Sequence, residues 1–313
     1  MGRKEKIKQL KDFLKSEIWV INPEEFGKRK ARTTRHIKVF IMTLTTFSNQ
    51  KVGYRATSLA FFSTIALIPC VALTFAVTKG FGIGDKLEEL LLLNFSAKED
   101  IIRQVLQYAN NVIEVTNKGA FGIISFLSFI WLVFWLMIQV EKAFNYVWRV
   151  KESRSLIKRI SVYFAISFLV PLVLVMFLST TLMFSQSNGL VSSLVDIPFM
   201  DKISAGLSWA ITYVGIAIVL TFMYKFIPGT KVNFRRALQA ALITAVMFCL
   251  FQWIYVETQV FFTRLNGVFG AVAAIPFLMI WLNVSWFIVL FGSELTFAFQ
   301  HVETYNPRLD SDS

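Results

Sequence analysis

The sequence contains few of the residues on which covalent cross-linking and metal binding depend. Its 313 residues include two cysteines and two histidines. Cys70 and Cys249 both lie inside apolar runs, which excludes a disulfide framework and a zinc site built from thiolates. His36 and His301 lie far apart along the chain, which weakens the case for any other metal site.

Catalytic signatures are also missing. No HExxH, GxSxG or P-loop pattern occurs in the sequence. A ribonuclease would need histidine or carboxylate groups for acid–base chemistry, or a carboxylate cluster that holds metal. The acidic pair Glu24 and Glu25 stands alone in a basic region, which is more typical of a solvated surface. We therefore predict that the protein is not an enzyme and that it uses no cofactor.

Charge is scarce, and apolar residues are abundant. Charged residues make up 17% of the chain and hydrophobic residues 55%. In a soluble domain about 25% of the residues are charged and about 45–50% are apolar. This composition excludes an ordinary soluble globule and a disordered chain. Strand-like alternation is missing from the apolar windows, so the sequence predicts an all-α integral membrane protein and not a barrel.

Six windows reach the length of about 20 apolar residues that crosses a bilayer as a helix. The predicted spans are Thr57–Thr78, Ala120–Val140, Ile160–Phe184, Ser204–Phe226, Ala237–Phe261 and Val268–Phe291. They predict a six-helix transmembrane domain over residues 53–300, between a basic segment at 1–52 and an acidic tail at 301–313. The basic segment has no early apolar region, so no cleavable signal peptide is predicted.

Positive charge alternates along the segments between these spans. Residues 1–55 carry 14 Lys and Arg against five Asp and Glu, and residues 225–236 carry four against none. Residues 79–119 carry five against six. The positive-inside rule then predicts that both termini are cytoplasmic and that 79–119 is external. Because topology accounts for the net charge of +12, no nucleic-acid partner is predicted.

Amphipathic segments flank the first predicted span. Two of them precede it, and their apolar positions are Ile7, Leu10, Leu14 and Ile18 in one, and Ile37, Phe40, Ile41, Leu44 and Phe47 in the other. Both are typical of basic helices on an anionic inner leaflet, although a helical hairpin packed under the bundle explains them equally well. The external loop at 79–119 is predicted to form two short amphipathic helices.

Polar residues inside the predicted spans are candidate site residues. Four of them are predicted either to line a path for a polar or anionic solute or to bond between helices, and they are Asn283, Gln252, Gln259 and Thr263. For Asn283 and Gln252, bonding between helices is favoured.

Charged residues at the predicted cytoplasmic edge suggest an ion-pair cluster. Arg55 is predicted to bridge Glu294, and Glu141 either joins them or pairs with Arg149. The alternative is that each side chain extends separately to water.

Prolines occur inside three predicted spans, at Pro69, Pro171 and Pro276. Each removes a backbone donor, so a helix kink is predicted at each position. Kinks open cavities and permit rocking motions, which favours a transporter slightly.

Four motifs occur in a fixed order. Arg55 begins Arg-Ala-Thr-Ser-Leu-Ala-Phe-Phe, Tyr224 begins Tyr-Lys-Phe-Ile-Pro, and Gly292 begins Gly-Ser-Glu-Leu; Asn145 and Trp148 have the spacing Asn-x-x-Trp. Together they resemble the YihY/virulence factor BrkB family of bacterial inner-membrane proteins over roughly residues 40–300. The resemblance implies a six-helix protein of the bacterial inner membrane whose activity is not agreed, since members have been described as transporters, virulence factors and a ribonuclease.

Two functional hypotheses follow. The first is a secondary transporter or exporter of a polar or amphipathic solute. The second is a non-transporting scaffold or accessory factor in envelope lipid export. The predicted partners are the lipid bilayer, anionic lipid at the N-terminal segment, and a solute or lipid substrate.

Overall fold

The computed structural model describes residues 28–80, 107, 120–150, 200–265 and 270–305. This part of the chain contains six α-helices and no strand, in agreement with the predicted all-α class. In chain order the helices are α1 (Lys28–Asn49), α2 (Val52–Gly80), α3 (Ala120–Val147), α4 (Met200–Phe226), α5 (Phe234–Leu265) and α6 (Gly270–His301).

Five of the six predicted spans coincide with helices α2 to α6. The third predicted span, Ile160–Phe184, lies outside the described residues, as do residues 1–27 and nearly all of the 79–119 loop. Within the described ranges, two helices are long and apolar enough to cross a membrane, Phe234–Thr258 and Pro276–His301. The second of these apolar stretches includes most of the predicted span Val268–Phe291 and continues to His301.

Helix α6 is the centre of the bundle. It packs against each of the other five helices of the described part of the chain. Residues 288–299 of α6 are all buried, whereas residues 276–287 are half-buried or exposed apart from Ser285. The bundle is therefore packed most densely around the C-terminal half of this helix.

Helix α5 lies antiparallel to α6. Three hydrogen bonds fix their register, and they join Asn233 to Gln300 (3.0 Å), Gln252 to Trp281 (2.9 Å) and Tyr255 to Phe277 (3.2 Å). From the first of these bonds to the last, the chain advances along α5 by nearly as many residues as it goes back along α6. The two helices therefore stay side by side over about six turns.

Small residues allow α5 to approach its neighbours closely. Ala237, Ala240, Ala241 and Ala245 are all 0% exposed, and α5 packs against both α4 and α6. Lipid provides little hydrophobic drive for helices to associate, so close van der Waals contact between small residues is a main source of stability in such bundles.

Helix α1 packs along the C-terminal half of α6 and runs in the opposite direction. The Phe47 ring lies 4.7 Å from that of Phe287 and 5.6 Å from that of Phe291, and nearer the start of α1 the His36 ring lies 6.0 Å from that of Phe299. Of the two predicted arrangements of this segment, the structure thus supports packing on the bundle.

The buried face of α1 differs from the predicted one. Met42 is 1% exposed and Phe47 9%, whereas Ile37, Phe40 and Leu44 are 43%, 55% and 47% exposed. Of the predicted apolar positions, Phe47 is therefore buried, whereas these three residues are exposed. Helix α1 is apolar on more than one side, so periodicity alone does not select the side that meets α6. We call Ile37, Phe40 and Leu44 the outer stripe of α1.

A two-residue turn separates α1 from α2. Lys51 in this turn has φ 52°, in the left-handed region that residues other than glycine seldom adopt. Helix α3 is followed by a similar residue, Arg149, with φ 53°. The hydroxyl of Tyr146 donates to the carbonyl oxygen of Gln50 at 3.0 Å, which joins the end of α3 to this turn.

Candidate functional site: a motif cluster on the central helix

Residues from three of the sequence motifs meet around the densely packed half of α6. Helices α3, α4 and α6 each contribute to this group, although their motifs lie up to 150 positions apart in the chain. We call the group the motif cluster, and it consists of Asn145, Trp148, Tyr224, Gly292 and Ser293.

Gly292 lies in the tightest contact of the motif cluster. Tyr224 is fully buried against it, and a Cβ atom at position 292 would lie 2.7 Å from the ring carbon Cζ of Tyr224 and even nearer to its hydroxyl oxygen and to Oγ1 of Thr244. The Thr244 hydroxyl donates to the carbonyl oxygen of Ala240 at 2.8 Å, which holds Oγ1 in this position. Position 292 therefore requires glycine.

Trp148 connects α3 to α6. Its indole Nε1 donates to Oγ of Ser293 at 3.2 Å, and both residues are buried. Its ring also meets the edge of Phe297 at 5.5 Å and lies 6.0 Å from the ring of His301. A buried tryptophan needs a partner for its N–H group, and Ser293 supplies it.

Asn145 holds the loop between α4 and α5. Its Oδ1 accepts from the backbone N–H of Gly229 at 2.6 Å. A Cβ atom at Gly229 would lie 3.1 Å from this oxygen, so the loop approaches α3 closely. On the other side of the loop, Nζ of Lys225 donates to the carbonyl oxygen of Val232. Asn145 of the Asn-x-x-Trp motif and Lys225 of the Tyr-Lys-Phe-Ile-Pro motif thus both bond to the backbone of the loop between α4 and α5.

The predicted ion pair between Arg55 and Glu294 stays a prediction, and the structure shows a different contact of Arg55. Gly53 lies against Phe287, with its Cβ position 3.6 Å from that ring, and Glu294 follows seven residues later, about 10 Å along α6. Arg55 is exposed, and its guanidinium lies 4.5 Å from the centre of the Tyr146 ring.

Both glutamates of the predicted cluster lie inside the bundle. Glu294 is 0% exposed and Glu141 4%. Neither carboxylate is exposed in the described part of the structure, which argues against the alternative in which each extends separately to water. Arg149 is exposed and its guanidinium lies 5.1 Å from the centre of the Phe297 ring. Pairing of Glu141 with Arg149 stays a prediction.

An ion pair that the sequence did not indicate joins the ends of α1 and α6. Nη2 of Arg35 lies 3.1 Å from Oε1 of Glu303. Burial alone lowers the pKa of Lys38, which is 8% exposed. The ion pair depends on how α1 lies along α6, which no local sequence pattern shows.

The predicted polar residues of α5 and α6 bond between helices. Gln252 accepts from Trp281 at 2.9 Å, and Nδ2 of Asn283 donates to Oγ1 of Thr57 at 3.0 Å. The favoured structural interpretation of these two residues is therefore confirmed. The side chains of Gln259 and Thr263 lie outside the described part of the structure.

A further bond of this kind was not predicted. Nε1 of Trp286 donates to Oγ of Ser63 at 2.9 Å and adds a second link between α6 and α2. The sequence held a weak indication of this bond, because Trp286 lies three residues after Asn283 and therefore on the same face of the helix.

The predicted kink sites have different outcomes. Helix α6 continues through Pro276, and α2 continues through position 69. Pro171 lies outside the described residues. The kinks themselves stay a prediction.

The described helices are consistent with an α-helical membrane protein, and comparison with known proteins identifies the family. The model of the virulence factor BrkB family matches residues 43–313. The chain therefore belongs to the virulence factor BrkB family, as its motifs suggested.

Several relatives that match most of this chain are described as membrane proteins. A UPF0761 membrane protein of Coxiella burnetii is 30% identical over 278 residues, which cover 86% of this chain and 93% of the relative. A similar protein of Vibrio vulnificus is 25% identical, and the match covers 91% of this chain and 91% of the relative. A similar protein of Haemophilus influenzae is 24% identical, and the match covers 80% of this chain and 90% of the relative. No solved structure matches the chain.

Proposed function

We propose that this protein is a six-span transporter of the bacterial inner membrane, with both termini in the cytoplasm, that moves a polar or amphipathic solute. Family membership supports the membrane class. The number of spans and their orientation are supported by the apolar windows and by the alternation of charge. The proposal includes no enzymatic step, no cofactor and no nucleic-acid partner.

One observation carries the proposal, an accessible polar pair in the apolar part of α6. Asn283 lies within the apolar stretch that begins at Pro276, and its hydrogen bond to Thr57 is exposed. Gln252, by contrast, is 1% exposed. Polar groups at membrane depth usually face a bundle interior or a water-filled path and not lipid. A solute that moves between α2 and α6 would meet this pair.

The motif cluster closes the bundle on one side of the pair. Gly292 follows Asn283 by nine residues, about 14 Å along the helix. In the proposed orientation the cluster lies on the cytoplasmic side. A solute that reaches Asn283 from outside would stop there until α4 and α6 separate around Gly292. Alternating access by relative motion of helix groups is a general mechanism of secondary transporters.

Solute flux in proteoliposomes tests the proposal. The full chain would be reconstituted, and efflux of labelled organic anions, cations and zwitterions would be measured against protein-free vesicles. We expect one class to leave faster from protein-containing vesicles, and Asn283→Leu to remove most of that difference. Thr258→Val is a matched control, because the hydrogen bond of Thr258 among the described residues goes to the carbonyl oxygen of Ile254 in its own helix.

Two results would contradict the proposal. One is the absence of flux for every solute class from a well-folded protein. The other is equal flux through the Asn283→Leu and Thr258→Val variants. The first result would argue against transport altogether, whereas the second would argue against the path between α2 and α6.

A second candidate function is supported by the outer stripe of α1. Three large exposed apolar residues on a helix beside the bundle suit contact with lipid or with a partner that handles lipid. In this reading the protein is an accessory factor in envelope lipid export. Reconstitution with a fluorescent phospholipid and dithionite would detect lipid movement between leaflets, and movement without solute flux would favour this function.

A further inference from the structure

Two buried polar side chains between α5 and α6 have atoms without a hydrogen-bond partner in the described part of the structure. The residues are Gln252 of α5, which is 1% exposed, and Ser285 of α6, which is 8% exposed. The atoms are Nε2 of Gln252 and Oγ of Ser285. Both residues lie in the apolar stretches long enough to cross a membrane, Phe234–Thr258 and Pro276–His301. A buried polar group in such surroundings is costly unless another group bonds to it.

Trp281 fixes the orientation of the Gln252 amide. Its indole Nε1 donates to Oε1 of Gln252 at 2.9 Å. Because an indole N–H can only donate, the amide must turn its oxygen to Trp281, and the hydrogens of Nε2 point elsewhere. Gln252 therefore presents a donor inside the interface that Trp281 cannot use.

Ser285 faces the same interface one turn further along α6. Trp281, Ser285 and Gly292 form one stripe of this helix, with steps of four and seven residues. Trp281 contacts α5 at Gln252, and Gly292 contacts it at Thr244. A buried serine between these two contacts faces α5 as well.

The antiparallel arrangement of α5 and α6 brings the two atoms towards each other. Side chains lean towards the N-terminus of their helix, so that of Gln252 leans towards the level of Cys249. The bonds of Gln252 to Trp281 and of Asn233 to Gln300 place this level opposite Ser285. Cys249 is 7% exposed and shares the face of Gln252. The two polar atoms and this thiol therefore lie in one small part of the interface.

The Ser285 hydroxyl keeps both its donor and its acceptor capacity. Hydroxyl groups in helices often bond to the carbonyl oxygen one turn earlier, as those of Thr221, Thr244 and Thr296 do. The hydroxyl of Ser285 makes no such bond in the described part of the structure. Together with Nε2 of Gln252 it can hold a group that both accepts and donates.

The two helices require this group to be uncharged. No Asp, Glu, Lys or Arg occurs in residues 237–256 of α5 or in residues 270–293 of α6. An ion between these segments would receive no counter-charge from either of them, which is costly in apolar surroundings. A neutral hydroxyl oxygen satisfies both polar groups without this cost.

We propose that Gln252 and Ser285 form a binding site for one uncharged hydroxyl oxygen between α5 and α6. The oxygen belongs either to a bound water molecule or to the hydroxyl group of a small neutral solute, and both share this chemistry. The site does not depend on the proposed transport path. Asn283 lies on another face of α6, where it bonds to Thr57 of α2.

A double-mutant cycle tests whether the two residues share a ligand. Thermal unfolding of the full chain in detergent would be measured for Gln252→Met, Ser285→Ala and the double variant. Residues that hold one oxygen are coupled, so the double variant should lose about 2 °C less than the sum of the single losses. Gln252→Met with Thr258→Val is the control pair and should be additive, since Thr258 bonds to Ile254 in its own helix.

Hydroxyl radicals generated by X-ray pulses test whether the oxygen is water, because radicals formed from a bound water react with the side chains beside it. We expect Cys249 to be labelled in the wild type and severalfold less in the double variant. Met137 of α3, which is 5% exposed, is the control for a buried reactive side chain and should be labelled equally in both.

Glycerol tests the other source of the oxygen. Its exclusion from the protein surface stabilises folded proteins in general, and the double variant shares this effect. A larger rise of the unfolding midpoint in the wild type than in the double variant assigns the site to the hydroxyl group of a solute. A loss of Cys249 labelling without such a difference assigns it to water. If the double variant does not fold, Ser285→Ala alone replaces it in both comparisons.

Simple addition of the two losses in the cycle would overturn the proposal. So would equal labelling of Cys249 in wild type and variant together with an equal effect of glycerol, because any coupling would then come from a direct bond between Gln252 and Ser285. Neither result would affect the proposal of solute flux near Asn283, because that experiment measures efflux and uses a different variant.

Discussion

The hydroxyl oxygen of Tyr224 occupies the space in which a side chain at position 292 would begin. Helices α4 and α6 therefore touch through a glycine, and Thr244 of α5 closes the same space from a third side. A contact of this kind joins three helices at one point. Its removal should affect the stability of the whole bundle.

Gly292→Ala should lower the stability of the protein by about 1–3 kcal/mol, the usual cost of overfilling a packed interior. The midpoint of thermal unfolding in detergent would measure this change. Gly53→Ala is the matched control, because its Cβ would lie 3.6 Å from the Phe287 ring, an ordinary contact distance. Alanine also favours helix over glycine by about 1 kcal/mol, so G53A should be neutral or stabilising. Equal loss in both variants would contradict the tight contact at Gly292.

Asn145→Ala should destabilise the loop between α4 and α5, because it leaves the N–H group of Gly229 without its acceptor. The cost of a lost hydrogen bond of this kind is about 1–3 kcal/mol. Asn145→Asp keeps an acceptor oxygen and should cost less. Hydrogen exchange at residues 227–232 would report the difference. Identical exchange in the two variants would show that the amide oxygen does not hold the loop.

Asn283 and Thr57 should be coupled energetically. Hydrogen bonds between membrane helices contribute about 0.6 kcal/mol on average, so a double-mutant cycle of Asn283→Leu and Thr57→Val should show a coupling of about that size. Thermal or denaturant unfolding of the four proteins would measure it. Simple addition of the two single effects would mean that the bond is absent in solution.

The orientation of the chain can be tested with single cysteines in a variant that lacks Cys70 and Cys249. A cysteine at Lys98 should react with an impermeant thiol reagent in intact cells once the outer membrane is opened, because 79–119 is predicted to be external. A cysteine at Arg154 should react only after lysis. The reverse pattern would invert the predicted topology.

The N-terminal segment should bind anionic lipid. Its first residues combine clustered Lys and Arg with the apolar positions Ile7, Leu10 and Leu14, and each cation near an anionic surface contributes about 1 kcal/mol. A peptide of residues 1–20 should therefore bind vesicles containing phosphatidylglycerol more tightly than neutral vesicles. Equal binding to both would argue for packing on protein and against lipid.

The apolar windows determined where the helices form. Five predicted spans coincide with α2 to α6, because a run of about 20 apolar residues has few alternatives to helix in any setting that excludes water. The motifs likewise identified Asn145, Trp148 and Tyr224 as residues to examine. Gln252 and Asn283 were expected to bond between helices for the same reason, since an amide at membrane depth needs a partner.

Only the tertiary structure decided which residues meet. Arg55 lies on Tyr146 and Gly53 lies against Phe287, and both contacts depend on where α2 crosses its neighbours. Helix α1 turns Met42 and Phe47 towards α6 and leaves Phe40 exposed, a choice that its own periodicity leaves open. Sequence fixes the chemistry along each helix, whereas rotation and offset between helices are set by the sum of many weak contacts with residues far away in the chain.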